Sequence, residues 1–402
     1  MISNLESMLS TNVKGMTKSA IRELLKLTND PEIISFAGGL PAPETFPKEE
    51  LIKITEEVIR EEGNQALQYG TTEGDAKLRD LLAKNYNKQG FNITKDNIMI
   101  TTASQQGLDL LAKIFINRGD KVIVGLPSYL GGLGAFNAYG ARFEGIKHDA
   151  HGMRSDLLET KLAEMKANGE KPKFIYIIPD FQNPAGVTMP ESRRKEIIAI
   201  ARKYDVLIAE DSPYKQIRFE GKDEPSLFVL DGGENVVNLG TFSKIFVPGF
   251  RIGWIIAHPV ILDKFITAKQ HTDLCTSPFV QKISAKYMEG GYFEENLKKT
   301  IQNYKVKKDH MLAAFDKYMP EGVTWTKPEG GLFLFLTLPE YMDSEALFMK
   351  AIKKKVAFVI GSVFHCDGSG RNTMRINFSY ETVEKNQEGV RRLAEVIKEE
   401  MK

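Results

Sequence analysis

Short runs of consecutive apolar residues punctuate this chain, and longer amphipathic stretches lie between them. The runs are Ile98–Thr102, Lys121–Leu126, Phe174–Ile178, Val206–Glu210, Val236–Leu239 and Gly253–Ala257. Nearly uniform apolarity, without apolar–polar alternation, predicts strands covered on both faces, as in a mainly parallel sheet layered with helices. Gln105–Phe115 and Pro190–Tyr204 carry helical patterns between them. Glu191, Arg194, Lys195 and Lys203 mark the expected wet side of the second helix. Strand and helix in alternation predict a doubly wound α/β domain.

Towards the end of the chain the pattern changes. Leu332–Leu338, introduced by Gly330-Gly331, reads as a strand, as do Val356–Ile360 and Met374–Phe378. Helical segments such as Ser344–Lys355 separate them, and Glu381–Lys402 reads as a charged closing helix. This spacing predicts a smaller α+β domain, linked through a long helix around Tyr292–Tyr318. The predicted organisation has three parts. Residues 1–45, with the Pro/Gly-rich exit Gly38-Gly39-Leu40-Pro41-Ala42-Pro43, pack on the small domain and the substrate site. Residues 46–295 form a large domain and 296–402 a small one.

Composition narrows the classes. The 402 residues are 42% hydrophobic and 27% charged, which excludes a disordered chain or a coiled coil. Lys and Arg number 54 against 53 Asp and Glu, so no net charge draws the chain to nucleic acid or to an anionic membrane. The uncharged stretch Val122–Ala141 has the length of a membrane span. Its five glycines, with Pro127, Ser128 and Asn137, fit a strand, turn and helix better. Met1–Ser10 contains Glu6 and no basic-then-apolar pattern, so no signal peptide is expected. Cys275 and Cys366 have no metal or redox spacing and suit a reducing compartment. A cytoplasmic protein is expected. The six histidines form no metal pattern, and Gly131-Gly132-Leu133-Gly134 does not complete a dinucleotide-binding G-x-G-x-x-G.

In open α/β sheets, ligands sit beyond the carboxyl ends of the strands. The residues following the predicted strands therefore matter most. They are Ser104-Gln105-Gln106 at a helix start, Tyr129, Asn183 in Pro179–Pro184, Asp211 with Tyr214, and Ser243-Lys244 followed by Arg251. This set suits a phosphorylated aromatic cofactor held by a lysine. Helix-start amides, the Ser243 hydroxyl and the Arg251 fork suit a phosphate. Tyr129 can stack on a ring, Asp211 can hold a proton on a ring nitrogen, and Asn183 and Tyr214 can donate to a ring oxygen. A lysine in a partly buried cationic pocket has a lowered amine pKa, which favours imine formation. These are the needs of pyridoxal 5'-phosphate.

The chain resembles the fold-type-I pyridoxal-phosphate-dependent aminotransferases of class I/II. It is most similar to the subgroup with 2-aminoadipate, kynurenine and broad-specificity enzymes. The matching segments are Ser243-Lys244 with Pro248-Gly249-Phe250-Arg251-Ile252-Gly253-Trp254, Gln182-Asn183-Pro184-Ala185-Gly186 and Asp211-Ser212-Pro213-Tyr214. Gln68-Tyr69-Gly70, Ser104-Gln105-Gln106, Gly330-Gly331-Leu332-Phe333 and Ser35-Phe36-Ala37-Gly38-Gly39-Leu40-Pro41 match as well. They run in order from about residue 22 to 379. Ile360-Gly361 departs from the Pro-Gly common in relatives.

The resemblance implies a large domain with a mainly parallel seven-stranded sheet, and a homodimer. Lys244 would be the Schiff-base lysine and proton shuttle. Arg375 would clamp the substrate α-carboxylate with Asn183 and the Gly39 amide. Tyr69 would reach the neighbouring subunit's phosphate. Arg22, in a helix expected over Ser19–Leu27, would meet a distal acidic group on some substrates. The reaction implied is amino transfer from an acidic, aromatic or bulky apolar L-amino acid to a 2-oxo acid such as 2-oxoglutarate or pyruvate. The alternatives are a pyridoxal-phosphate-dependent lyase or decarboxylase, and a non-catalytic sensor domain. The Asn183–Pro184 bond is expected to be cis, to aim Asn183 at the ring.

Overall fold

The computed structural model describes residues 6–14, 16 and 30–401. Its strands, in chain order, are β1 (Ile34–Ser35), β2 (Ile98–Thr102), β3 (Lys121–Leu126), β4 (Arg142–Asp149), β5 (Gly152–Met153), β6 (Phe174–Ile177), β7 (Leu207–Asp211), β8 (Val236–Thr241), β9 (Ile252–Ile256), β10 (Thr324–Trp325), β11 (Phe333–Thr337), β12 (Val356–Ala357), β13 (Val359–Ile360) and β14 (Thr373–Asn377). The larger sheet has the order β2-β9-β8-β7-β6-β3-β4-β5. Its central strands are buried throughout, as their uniform apolarity requires, and helices such as Ala103–Phe115 and Glu191–Lys203 cover them.

Among the described residues this sheet has eight strands, not seven. The extra one is β5, two residues that turn back antiparallel on β4. β4 is itself invisible to a search for apolar runs. It lies near the sheet edge, only half-buried, and carries Arg142, Glu144, Lys147 and Asp149. Among the six predicted strands, boundaries move by at most two residues.

The second sheet is antiparallel, ordered β10-β11-β14-β13, and follows the 27-residue helix Tyr292–Tyr318. The predicted strand Val356–Ile360 is two strands here. β12 pairs in parallel with β1, while β13 pairs with β14, so the chain changes sheets at Phe358. Pairing of Ile34 with Val356 and Ser35 with Ala357 ties the segment before Gly38-Gly39 to this part of the molecule. No helix among the described residues is long and apolar enough to cross a membrane.

Candidate active site

Strand direction gathers the site. β2, β3, β6, β7 and β8 run the same way, so their carboxyl ends share one edge of the sheet. β9 runs against both of its neighbours, β2 and β8. Its start therefore lies at that same edge, and Arg251 immediately precedes it. Gly253 of β9 faces Thr101 on one side and Thr241 on the other. This register brings the helix start at Ser104, the Ser243-Lys244 turn and Arg251 to one place.

Lys244 is part-buried, and its Nζ donates to the Gly39 carbonyl at 2.8 Å. Burial, then the charges of Arg375 and Arg251, pull its pKa down to about 8, against the opposing pull of Asp211. Asp211 ends β7 and is 2% exposed. Burial pushes its carboxyl up to about 7, against a hydrogen bond from Tyr176 and the charge of Lys244. Its Oδ2 accepts from the Tyr176 hydroxyl at 2.8 Å, while the buried Oδ1 has no hydrogen-bond partner among the described residues.

Asn183 follows β6 in a turn whose Asn183–Pro184 bond is cis, as expected. Its amide donates to the Tyr214 hydroxyl at 3.2 Å, and its Oδ1 accepts from Arg375 Nη1 at 2.9 Å. Arg375, on β14, crosses from the second sheet. Its Nη2 donates to the Ala37 carbonyl at 2.8 Å, and its guanidinium lies 4.1 Å from the Phe333 ring centre and 5.3 Å from that of Phe364. Nε is buried without a partner among the described residues, and burial pulls the group down to about 10. Among the described residues no carboxylate pairs with it, and a buried guanidinium so placed is costly unless an anion joins it.

At the helix start, the first-turn amides have no acceptor within the helix. Ala103 takes a left-handed φ of 59°, and its amide donates to the Arg251 carbonyl at 2.9 Å. Gly253 makes this approach possible. A Cβ there would stand 2.5 Å from both Ala103 C and Ser104 N. Ser243 is 8% exposed, with Oγ 2.9 Å from the Thr241 hydroxyl. The exposed Gln105 donates to the Gly131 carbonyl at 3.0 Å, which ties this helix start to that of Leu130–Ala138, the helix following Tyr129. Tyr129 is half-buried against the core. Gly39 meets the site through its carbonyl on Lys244, whereas the expectation concerned its amide. Tyr69 stands apart, 79% exposed. Arg22 lies outside the described residues.

Two features escaped the sequence reading. One is Tyr176, the Asp211 partner, which read only as an apolar strand residue. The other corrects Arg194, expected on the wet face of its helix. It is fully buried, with Nη2 2.8 Å from Asp180 Oδ1 and Nε 2.8 Å from the Met189 carbonyl. Asp180 lies in the turn that carries Asn183, so this ion pair braces the turn from behind.

Residues 36–393 match the family described as aminotransferase class I and II. The chain belongs to this family. An aromatic-amino-acid aminotransferase from Thermococcus litoralis is 50% identical over 99% of this chain and 95% of its own. Among solved structures, a kynurenine aminotransferase from Pyrococcus horikoshii, in complex with PMP, superposes with a TM-score of 0.96 at 47% identity, covering 100% of this chain and 99% of that one. An α-aminoadipate aminotransferase from Thermus thermophilus, in complex with N-(5'-phosphopyridoxyl)-L-leucine, superposes at 0.91 with 38% identity, covering 98% of both chains. This aminotransferase is pyridoxal-phosphate-dependent, has fold type I and transaminates amino acids; neither the lyase nor the sensor alternative is supported. The donor set fits the cofactor. The open, buried Asp211 Oδ1 suits a ring N–H, and the helix start packed on Gly253 suits a phosphate.

Proposed function

We propose that this aminotransferase takes acidic, aromatic and bulky apolar L-amino acids as donors and 2-oxo acids such as 2-oxoglutarate or pyruvate as acceptors. The observation that carries the reading is one cluster: a Lys244 amine pulled down to about 8, the open oxygen of Asp211 and the unpaired Nε of Arg375. The aromatic, kynurenine and aminoadipate activities named for the relatives support the donor range. In this reading residues 46–295 hold the cofactor, and 1–45 with 296–402 close over the substrate in the cytoplasm.

Each residue has a task. Asp211 Oδ1 holds the proton on the ring nitrogen. Asn183 and Tyr214 would donate to the ring oxygen, and Tyr129 would lie against the ring. The amides at Ser104 and Gln105, the Ser243 hydroxyl and Arg251 take the phosphate. When bound, the cofactor supplies an aldehyde that bonds an amine and a protonated ring that draws electrons from the substrate α-carbon. Lys244 Nζ takes the proton from that carbon, its lowered pKa leaving a useful share of neutral amine near pH 7. Arg375, backed by Asn183 and Gly39, grips the α-carboxylate and orients the bond that breaks. Arg22 reads a distal carboxylate when one is present.

Formation of 2-oxo acid from glutamate, 2-aminoadipate, tyrosine and leucine, each with 2-oxoglutarate or pyruvate, tests the donor range. Turnover of a single class alone refutes it. Lys244→Ala should lose many orders of magnitude in turnover, since base and covalent roles go together. Retained turnover sinks the assignment.

A homodimer completes the reading. Leu67 and Tyr69 are 72% and 79% exposed. Leu51, Ile52, Ile59, Phe279 and Ile283 line a surface groove of about 670 Å³ together with Phe250, the neighbour of Arg251. An apolar groove that includes Phe250, one residue before Arg251, suits a second copy that offers its Tyr69. Mixing Tyr69→Ala with Lys244→Ala chains should then restore activity, because one site of each mixed dimer has both residues. No recovery in dimers shown to be mixed refutes the shared site.

A further inference from the structure

Tyr176 is 1% exposed in the middle of β6, and sheet register explains where its hydroxyl goes. In parallel strands, residues in register point to the same face. Tyr176 is in register with Ala209 of β7. Asp211 lies two residues beyond Ala209, on the same face, within reach of a long side chain on the diagonal. The small Ala209 side chain leaves room for the phenol to lie along that line. Its hydroxyl donates to Asp211 Oδ2 at 2.8 Å, and Oδ1 is left buried with no donor among the described residues.

The ring is fixed from two sides. Phe136 packs edge-on with centroids 5.3 Å apart. Gly132 comes so close that a Cβ there would stand 2.9 Å from Tyr176 Cε1 and 3.1 Å from its hydroxyl. A phenol held this firmly fixes the rotation of the carboxylate it bonds.

We propose that Tyr176 is a positioning residue for transamination: it occupies one oxygen of Asp211 and so keeps the carboxylate charged, with its other oxygen free for the cofactor ring nitrogen. This rests on the role proposed above for Asp211. The groups facing that carboxylate are Tyr176 from β6, Lys244 after β8 and Tyr214 after β7. Burial favours the neutral acid, while Tyr176 and Lys244 favour the anion. Without the phenol, Lys244 opposes burial alone. The acid is then neutral over more of the neutral pH range, and a neutral acid no longer stabilises the protonated ring nitrogen by charge. Oδ2 would also lose its donor, so the carboxyl would turn or take up a proton.

The first test needs no turnover. In the full-length chain without cofactor, labelled with ¹³C at aspartate carboxyls, the Asp211 resonance is assigned by its loss in Asp211→Asn. It should titrate near 7 in the unsubstituted protein and about one unit higher in Tyr176→Phe. In the holoenzyme, Tyr176→Phe should weaken pyridoxal phosphate binding and lower kcat by about ten- to a hundredfold, with donor KM little changed. Tyr176→Phe combined with Asp211→Asn should be no worse than Asp211→Asn alone. Phe136→Leu, which loosens the ring but keeps the phenol, should leave the titration in place. An unmoved titration in Tyr176→Phe, an equal shift in Phe136→Leu, or losses that multiply in the double variant would each overturn the proposal. Undiminished cofactor affinity in Asp211→Asn would instead overturn the role of Asp211 itself.

Discussion

Replacing Arg375 with Met should make Lys244 harder to deprotonate. The Lys244 ammonium, ordinarily near 10.5, sits at about 8 because of burial first, then Arg375 and Arg251. At pH 7, a pKa of about 8 leaves about one amine in ten neutral, whereas one of about 10.5 would leave roughly three in ten thousand. Removing one like charge from this partly buried cluster should return about one unit, or a roughly tenfold loss of neutral amine at pH 7. Arg375→Lys keeps the charge and gives up only the fork, so its Lys244 should stay near 8. The assay is the rate at which the cofactor-free chain covalently captures added pyridoxal phosphate, followed by absorbance from about pH 6 to 10. That rate climbs with the neutral amine and levels off above its pKa. The midpoint should lie near 8 for the unsubstituted and Lys chains and near 9 for the Met chain. Equal shifts in both variants would mean that packing, not charge, tunes Lys244. No shift in the Met variant would remove Arg375 from its environment.

Arg375→Lys should also raise KM for every donor and lower kcat/KM about ten- to a hundredfold, whatever the side chain, because one ammonium cannot reproduce a bidentate fork; an effect limited to one donor class would move the carboxylate clamp elsewhere. Asp180→Ala leaves the fully buried Arg194 with carbonyl acceptors and the charge of Glu210 but no bonded carboxylate, and should cost about 1.5–3 kcal/mol in urea unfolding, where a surface pair would cost under about 1. Gly253→Ala must push the helix start away from β9, with about 1–3 kcal/mol lost in stability and weaker phosphate affinity measured by cofactor dissociation. Arg22→Ala should lower kcat/KM for glutamate and 2-aminoadipate about ten- to a hundredfold while aromatic donors change little; a uniform loss would make Arg22 structural.

Much of the fold was legible because the central strands are buried on both faces, and such strands leave uninterrupted apolar runs in the sequence. The misses share a cause. β4 is half-wet near an edge, so its charges hide it. Val356–Ile360 is one apolar run that serves two sheets, and only the distant partners β1 and β14 split it. Arg194 falls on the polar side of an amphipathic pattern, yet Asp180, 14 residues earlier, draws it into the interior. Local pattern reports the local environment, and a partner brought by the fold overrides it. The site follows the same rule. Its residues were legible as strand-end chemistry, but Tyr176 was not, because only the register of β6 against β7 places its hydroxyl on Asp211.

The perturbed groups share one direction. Lys244 is pulled down to about 8, Arg375 down to about 10 and Asp211 up to about 7, so burial presses each towards its neutral form. With Arg251 beside them, three basic groups surround one acid, and the cluster carries an excess of positive charge. Two anions would balance it, a phosphate at the helix start and a carboxylate at Arg375. Each would favour the charged form of its cationic neighbour. A carboxylate at Arg375 would offset the repulsion that Arg375 exerts on Lys244, and a phosphate would do the same at Arg251. Binding should therefore raise the pKa of Lys244 as the site fills, which makes the neutral amine a stronger base for the substrate proton but lowers the share that is neutral at pH 7. The fold accommodates this excess because each charge sits on a different rigid element: β7, β14, the turn after β8 and the start of β9.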